Sequence, residues 1–306
     1  MKIYNNSTPD TNIENSSGVV CIGGFDGIHL AHQQLFRKTI SISTEFDIIT
    51  FEVIPKIYFN EDLKPLISNK GREIIFSTFN PNNLIYLNFE NFNKISQEQF
   101  CKYLQNNLNV KKIVVGKDFK FGNNRSGDIT SLINFFGVEN VYLLDDFLID
   151  NEKVSSTKIR YYLSNGEIEK ANVYLGREFS LIGTVIEGKK LGRSLGFPTA
   201  NLLLDQDTFI PNFGVYAGTI NIDNEIFNAI VNIGINPTVD DQSTVKIEAH
   251  IFDFSSDIYD KKVELSLNKF IRNEIKFNNI DELKIQIAED IKTCLLYTSP
   301  SPRDPN

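Results

Sequence analysis

Two of the chain's three histidines lie in one short segment, GGFDGIHLAH, at residues 23–32. His29 and His32 are three residues apart at the start of a predicted helix, so they share one helix face. A helix N-terminus carries positive partial charge and N–H donors, which favour a phosphate group. Gly24 and Gly27 let the backbone approach an anion closely. The spacing predicts a phosphate site in which imidazoles stabilise transferring charge, and a solvated or capping histidine pair is the alternative.

A second polar segment is VGKDFKFGNNRSGD, at residues 115–128. Its alternation predicts a strand that directs Phe119 and Phe121 to one face and Asp118 and Lys120 to the other. An ordinary core-facing strand followed by a turn is an equally good interpretation of the pattern alone.

A third segment, VSSTKIR at residues 154–160, combines hydroxyl groups with an arginine. Ser155, Ser156 or Thr157 can cap a helix, and Arg160 follows about one turn later. Hydroxyls, N–H groups and a guanidinium together form a good anion clamp. On its own, the segment is better explained as a plain N-cap with a surface arginine.

The second half of the chain contains GRSLGFPTANLLL, at residues 192–204. Pro198 fixes an extended or turn geometry just before Thr199 and Asn201. The hydroxyl and amide oxygens of these two residues are hard ligands that suit Mg²⁺ bound to ATP phosphates. If the segment stood alone, a turn that leads into a strand at 201–204 would be the better explanation.

The preceding loop, GTVIEGKK at residues 183–190, almost fits the phosphate-binding pattern G-x-x-x-x-G-K-[ST]. It fails at Lys190, where the pattern requires Ser or Thr, and it lacks a strand–loop–helix setting. A glycine-rich connection between two strands can still cover phosphates with backbone N–H groups.

The elements that must position these groups differ between the two halves of the chain. In the first half, strand-like and helical patterns alternate, which predicts a parallel, doubly wound sheet with ligands at the C-terminal strand edge. Strands are expected within 18–27, 47–54, 83–89, 110–116 and 138–147, and helices within 28–41 and 96–108.

After about residue 176, short β-like runs follow one another with turn residues between them. That succession predicts a small antiparallel barrel. Residues 155–178 are expected to form a helical connector between the halves, and residues 280–292 a closing helix.

In combination, GGFDGIHLAHQ, VGKDFKFGNNRSGD and SSTKIR resemble the adenylyltransferase half of the bacterial bifunctional riboflavin kinase/FAD synthetases, in the HxGH class of nucleotidyltransferases. The resemblance implies a Rossmann-like domain that transfers AMP from ATP to FMN, giving FAD and pyrophosphate. It implies that His29 and His32 contact ATP phosphates, and that nucleotide or flavin is bound by Gly24, Phe25, Asp26, Gly27, Asp118, Phe119, Ser156, Thr157 and Arg160. The sequence departs from the family pattern at Ala31, where the family has Gly, and at Ile54, where it has His.

PTAN is followed by FIPNFGVYAG, VNIGINPTV, VKIEAHIFDFSSDIYDKKVEL and FIRNEIKF, and this set resembles the riboflavin kinase domain, a six-stranded barrel. The resemblance implies that Thr199 and Asn201 hold Mg²⁺ with ATP and that Glu248 is the base toward the ribityl 5′-hydroxyl. It also implies ATP binding by the loop glycines and proline, namely Gly183, Gly188, Gly192 and Pro198. His250, on the same strand face as Glu248, is expected to be a structural hydrogen-bonding residue. Asp260 replaces a family glycine in a turn.

Together the patterns predict a disordered or leader segment at 1–17 and a nucleotidyltransferase domain at 18–176. A kinase barrel at 177–293 and a non-native tail at 294–306 are expected to follow. The tail is interpreted as translated adapter sequence because CLLYTSPSPRD resembles transposon-end adapters; a genuine disordered tail is the alternative. The predicted activity is phosphorylation of riboflavin to FMN followed by adenylylation of FMN to FAD. Two alternatives are open: a monofunctional riboflavin kinase with a weakened first domain, and a non-catalytic flavin- or nucleotide-binding regulator.

Composition limits the partners. The net charge is −8 and no long Lys/Arg block occurs, which argues against nucleic acid. The three cysteines form no CxxC pair, so a reducing cytoplasm is expected rather than a disulfide scaffold or zinc site. The sequence contains no run of about 20 apolar residues, so no membrane-spanning helix is predicted. The expected partners are riboflavin, FMN, ATP and Mg²⁺, and assembly into a homo-oligomer is left open.

Overall fold

The computed structural model describes residues 1–13, 15–188, 192, 196–236 and 244–298. Its contacts divide the chain into two compact units, Met1–Ser156 and Thr157–Asn306. The predicted fold class, an α/β domain followed by a β-barrel with a closing helix, is confirmed. Within the described residues, no helix combines the length and apolar character needed to cross a membrane.

The first unit is built on a six-stranded sheet in which every neighbouring pair is parallel. The strands are β1 (Lys2–Ser7), β2 (Val19–Ile22), β3 (Asp47–Phe51), β4 (Asn83–Leu87), β5 (Lys112–Gly116) and β6 (Val141–Leu144). Their order is β1-β4-β3-β2-β5-β6, so the chain passes from β2 to one side first and later to the other. The carboxyl end of β2 is therefore a switch point, where open α/β sheets bind ligands.

Helices connect these strands, and a small antiparallel pair follows them. The helices are α1 (Leu30–Ile42), α2 (Pro55–Tyr58), α3 (Asn69–Ser77), α4 (Phe89–Phe92), α5 (Gln97–Lys102), continued by a π-helical turn at Tyr103–Asn107, and α6 (Ile129–Phe136). Three 3₁₀ turns lie at Asp26–Ile28, Asn123–Arg125 and Val138–Asn140. The pair consists of β7 (Leu148–Ile149) and β8 (Glu152–Lys153).

The central strands of the sheet, β4, β3, β2 and β5, are buried on both faces. Successive residues of β2 show this, because Val20 and Ile22 belong to one apolar cluster and Cys21 belongs to the other. A strand alternates its side chains between faces, so a strand covered on both sides reads as a continuous apolar run. This packing gives the turn after Ile22 a rigid support.

The sequence predicts a disordered or leader segment at residues 1–17, and the structure contains a strand within it. Residues Lys2–Ser7 form β1 at the edge of the sheet, parallel to β4. Most of its side chains are exposed, whereas Tyr4 packs against the core. The strand is held largely by backbone hydrogen bonds to β4. It therefore needs few apolar side chains, and its polar sequence does not predict a strand.

The second unit begins with two helices, α7 (Ser156–Ser164) and α8 (Ile168–Leu175), in the region predicted as a helical connector. A closed antiparallel barrel follows, in the order β10-β13-β12-β11-β14-β9. Its strands are β9 (Phe179–Ile186), β10 (Ala200–Leu204), β11 (Gly214–Ile222), β12 (Glu225–Asn236), β13 (Thr244–Ile251) and β14 (Lys262–Arg272). Helix α8 contacts β9 and β14. The domain boundaries expected from the sequence stay predictions.

The closing helix, α9 (Ile280–Thr298), packs against β11, β12 and β14. The helix continues through Cys294, whose side chain is buried in a cluster with Val215 and Ile230. The interpretation of residues 294–306 as a non-native tail stays a prediction, and residues 299–306 lie outside the described part of the chain.

Candidate active sites

The chain forms a turn at residues 24–28, after β2, which we call the glycine turn. Its backbone is unusual. Phe25, Gly27 and Ile28 have φ values of 49°, 76° and 44°, all in the left-handed region. Such conformations are costly for residues other than glycine and concentrate at functional sites, where surrounding structure enforces them. Here the side chains of Phe25 and Ile28 are buried in the core beside the sheet, which holds the turn in this shape.

The structure brings the two predicted histidines together at the beginning of α1. Their rings stack with centroids 3.6 Å apart and planes 16° from parallel. His29 is the N-cap residue of the helix, and the His32 ring meets the edge of Phe25 at 5.3 Å. Ala31 lies in the first turn of α1, where a helical conformation accepts a Cβ without strain. Both imidazoles are thus held beside the N–H groups that begin the helix.

Polar contacts fix the turn from two further directions. The buried carboxylate of Asp26 accepts a hydrogen bond from the backbone N–H of Leu66 at 3.0 Å. Ser156 donates its hydroxyl to the backbone oxygen of Asp26 at 2.8 Å. Of the predicted anion clamp, Ser156 therefore reaches the turn. Thr157 and Arg160 belong to the second unit, where the largely buried Arg160 lies over the Phe209 ring, and their roles stay predictions.

An aromatic cavity of about 550 Å³ opens beside the turn, with Gly24 in its wall. Asp118 and Phe119 line it, so the structure brings these predicted residues close to the turn. Six further phenylalanines line it, namely Phe51, Phe59, Phe89, Phe92, Phe100 and Phe121. A largely apolar cavity with a few polar groups in its wall suits an aromatic ring system.

The prediction that residues 118–121 form a strand is wrong. Strand β5 ends at Gly116, whose carbonyl accepts the N–H of Phe119 at 3.0 Å and so closes a turn. Only Phe121 pairs in β fashion, in a single bridge with Gly127. The two phenylalanine rings still lie side by side, with centroids 5.6 Å apart. The alternation of phenylalanines with polar residues therefore reflects packing around a turn at the carboxyl end of β5 rather than the pleat of a strand.

Ile54 lies at the position where the family pattern has a histidine. It caps the N-terminus of α2, is buried, and lines the aromatic cavity. A Cβ added at Gly24 would lie 3.3 Å from the Ile54 side chain, so the two residues are in close contact. This part of the cavity wall is therefore apolar.

The barrel holds a second cavity of about 310 Å³, and Thr199 and Glu248 both line it. Glu248 lies on β13, directly opposite Asn201 of β10 and Asn232 of β12. Lys246, on the same face of β13, forms an ion pair with the Glu248 carboxylate at 2.7 Å. Sequence reasoning missed Lys246, although its position two residues before Glu248 on a strand is a signal that places them side by side.

The PTAN segment is anchored on the same strand. The carbonyl of Pro198 accepts a hydrogen bond from His250 Nδ1 at 2.7 Å, as a hydrogen-bonding role for this histidine requires. A third cavity, of about 450 Å³, is lined by Pro198, Thr199 and Tyr259. Thr199 therefore lies in the wall shared by two cavities of the barrel.

The predicted loop glycines separate into two groups. A Cβ at Gly188 would collide with the amide of Asn201, and Gly192 lines the cavity with Thr199. Gly183 instead lies within β9, where a Cβ would meet the backbone of Leu203, so it serves close strand packing. The lysines of the loop, 189 and 190, lie outside the described residues.

One end of the barrel cavity is closed by the helix α9. Leu283 and Ile287 line the cavity, and Asp290 anchors the helix through the guanidinium of Arg272. Arg272 Nε lies 3.0 Å from both carboxylate oxygens, and its NH2 nitrogen lies 2.7 Å from Oδ2. This largely buried bidentate pair fixes the helix against β14.

Both halves of the chain match known families. The riboflavin kinase family model matches residues 175–298, and the FAD synthetase family model matches residues 11–158. A protein of Buchnera aphidicola described as a bifunctional riboflavin kinase/FMN adenylyltransferase is 39% identical over 290 residues, covering 90% of this chain and 92% of its own. A protein of Haemophilus influenzae with the same description is 36% identical, with coverage of 90% and 92%.

A solved structure is also similar over both units. A crystal structure described as a macrolide-efflux protein from Streptococcus pneumoniae superposes with a TM-score of 0.87 at 30% identity. The superposition covers 96% of this chain and 99% of that one. The efflux description applies to the Streptococcus protein.

Proposed function

This chain belongs to the bifunctional riboflavin kinase/FMN adenylyltransferase family, and on that premise we propose which residues perform each of its two reactions. The second unit carries the riboflavin kinase domain and the first carries the FAD synthetase domain, with ATP and flavins as substrates. Matches to both families support the bifunctional activity over a monofunctional kinase or a regulator. The observation that carries our assignment is the pairing of Thr199 with Glu248 in one barrel cavity.

In the kinase reaction, Glu248 is proposed as the general base. Its carboxylate accepts the proton of the ribityl 5′-hydroxyl as that oxygen attacks the γ-phosphorus of ATP, and ADP leaves. Lys246 holds the carboxylate at 2.7 Å, and the two flanking strands fix its backbone. Because Thr199 lies in the wall between two cavities, we place riboflavin in the cavity with Glu248 and ATP on the other side.

The oxygen donors of the PTAN segment fit a magnesium ion that arrives with ATP. Thr199 offers a hydroxyl and Asn201 an amide oxygen, and the Asn201 amide is held against Gly188. Among the described residues no cluster of three His, Cys, Asp or Glu could hold a metal alone. That donor set suits Mg²⁺, which usually binds few protein oxygens together with substrate phosphates. When bound, the ion neutralises charge that develops on the transferring phosphate.

In the adenylylation reaction, we propose that the glycine turn holds ATP and the aromatic cavity holds the flavin ring of FMN. An oxygen of the FMN phosphate attacks the α-phosphorus of ATP, and pyrophosphate leaves. His29 and His32 stack at the beginning of α1, where imidazoles and N–H groups together can stabilise the developing charge. Asp118 and Phe119, in the wall of the cavity, contact the flavin or nucleotide.

We further propose that the enzyme works in the cytoplasm without nucleic acid or a membrane as partner. The net charge of −8 and three widely spaced cysteines support this. Assembly into a homo-oligomer is compatible with the same features.

Replacing His29 by alanine tests the assignment of the first site. The variant should lose FAD formation from FMN and ATP while still forming FMN from riboflavin and ATP. Both reactions are measured on one preparation, so the kinase reaction reports whether the protein is folded. Retention of normal FAD formation would show that the histidine pair is not part of the site.

A further inference from the structure

Arg72 is an arginine with no access to solvent. It lies on α3, and its side chain is the largest of the fully buried ones, with a relative exposure of 0%. Arginine is almost never fully buried unless its charge is paired and its N–H groups are hydrogen-bonded. The position of this guanidinium beneath the carboxyl edge of the sheet indicates a purpose for its burial.

The guanidinium joins the ends of two neighbouring strands. One terminal nitrogen donates to the backbone oxygen of Phe51, at the end of β3, at 2.8 Å. The other donates to the backbone oxygen of Gly24, after β2, at 3.1 Å, and to the hydroxyl of Thr50. Gly24 begins the glycine turn, and both Gly24 and Phe51 line the aromatic cavity. One side chain thus holds the turn and the cavity wall in register.

No carboxylate pairs directly with this charge among the described residues. Asp26 and Glu73 act on the guanidinium from beyond ion-pair distance. The rings of Tyr86 and Phe76 lie at 5.4 and 5.8 Å. Asn69 accepts one more hydrogen bond at 3.1 Å. Burial lowers the pKa of the guanidinium. A buried cation without a paired carboxylate is an expensive way to join two strands, which argues for more than structural support.

We propose that Arg72 is a positioning residue for adenylyl transfer, which holds the carbonyl of Gly24 so that the glycine turn presents the histidine pair to the reacting phosphate. The inference rests on the proposed function of that turn. Arg72 acts through backbone atoms rather than through contact with substrate. Its loss should therefore misplace the groups that act in the transition state, and a misplacement of about 1 Å costs on the order of 10²-fold in rate.

Two conservative substitutions test the proposal on the full-length enzyme. Arg72→Lys keeps a positive charge but cannot bridge two strands, and Thr50→Val keeps the side-chain volume but removes one anchor. We expect kcat for FAD formation to fall about tenfold or more in Arg72→Lys, with KM for ATP changed by less than about threefold. In Thr50→Val, kcat for FAD formation should also fall, but by less, and KM for ATP should again change by less than about threefold. Riboflavin phosphorylation by the same preparations should be unchanged.

Arg37→Lys is the matched control, because Arg37 is exposed on α1, and both of its activities should remain normal. A kcat within twofold of the parent in both test variants would overturn the proposal. So would a fall in thermal stability with unchanged turnover per folded molecule, because that result describes a purely structural arginine. His29→Ala is measured in parallel. If it loses FAD formation while Arg72→Lys does not, the Arg72 inference alone fails; if it does not, the proposed site fails.

Discussion

Replacing Glu248 by glutamine removes one charge from the wall of the barrel cavity. Glutamine keeps the size of the side chain and still hydrogen-bonds, but it cannot accept a proton from the ribityl hydroxyl. We expect riboflavin phosphorylation to fall about 10²–10⁴-fold, the usual contribution of a general base. At about 1.4 kcal/mol per tenfold, this corresponds to about 3 to 5 kcal/mol of lost transition-state stabilisation.

The substitution should leave the fold intact. The carboxylate pairs with Lys246 at 2.7 Å, and the two side chains are 22% and 29% exposed, so water partly screens the pair. An ion pair in such a setting contributes up to about 1 kcal/mol to stability. The predicted loss of activity therefore exceeds the contribution of this ion pair to the folding free energy.

The assay measures FMN formed from riboflavin and ATP, and FAD formed from FMN and ATP, with one preparation of each variant. Glu225→Gln is the matched control, since Glu225 is exposed at the start of β12, and it should leave both rates unchanged. The assignment of Glu248 is refuted if Glu248→Gln phosphorylates riboflavin within tenfold of the parent. It is also refuted if both reactions fall together.

Three further substitutions probe other contacts. Gly188→Ala should raise KM for ATP in the kinase reaction by displacing the Asn201 amide, and unchanged ATP kinetics would contradict this role. Asp290→Asn leaves Arg272 without a charged partner and should destabilise the second unit by about 3 kcal/mol, measured by thermal unfolding; a raised riboflavin KM should accompany it. Ser156→Ala removes the hydroxyl that holds the glycine turn and should slow FAD formation only, whereas equal loss of FMN formation would exclude this explanation.

The fold was largely predictable because its signals are local. The continuous apolar run at β2 and the helical spacing over α1 predicted both elements, and the antiparallel succession predicted the barrel. Strand β1 escaped prediction because its backbone ladder, rather than apolar side chains, holds it in the sheet. The strand predicted over residues 118–121 was wrong because packing around a turn produced the same alternation.

Candidate site residues could be identified from the sequence where they lie close together along the chain. His29 and His32 lie three apart, and Glu248 belongs to a recognisable strand pattern. Arg72 could not be predicted, because it reaches Gly24 across 48 residues and only the packing of α3 beneath the sheet brings them together. An arginine in a short helix has no sequence feature that distinguishes a buried side chain from an exposed one.

The most direct test of the whole account uses the unmodified chain. Purified protein is incubated with riboflavin, ATP and magnesium, and the flavins are separated by chromatography over time. FMN should appear first and FAD should follow from it, with one ATP consumed at each step. Accumulation of FMN without FAD would contradict an active first site, and the absence of FMN would contradict the assignment of the barrel.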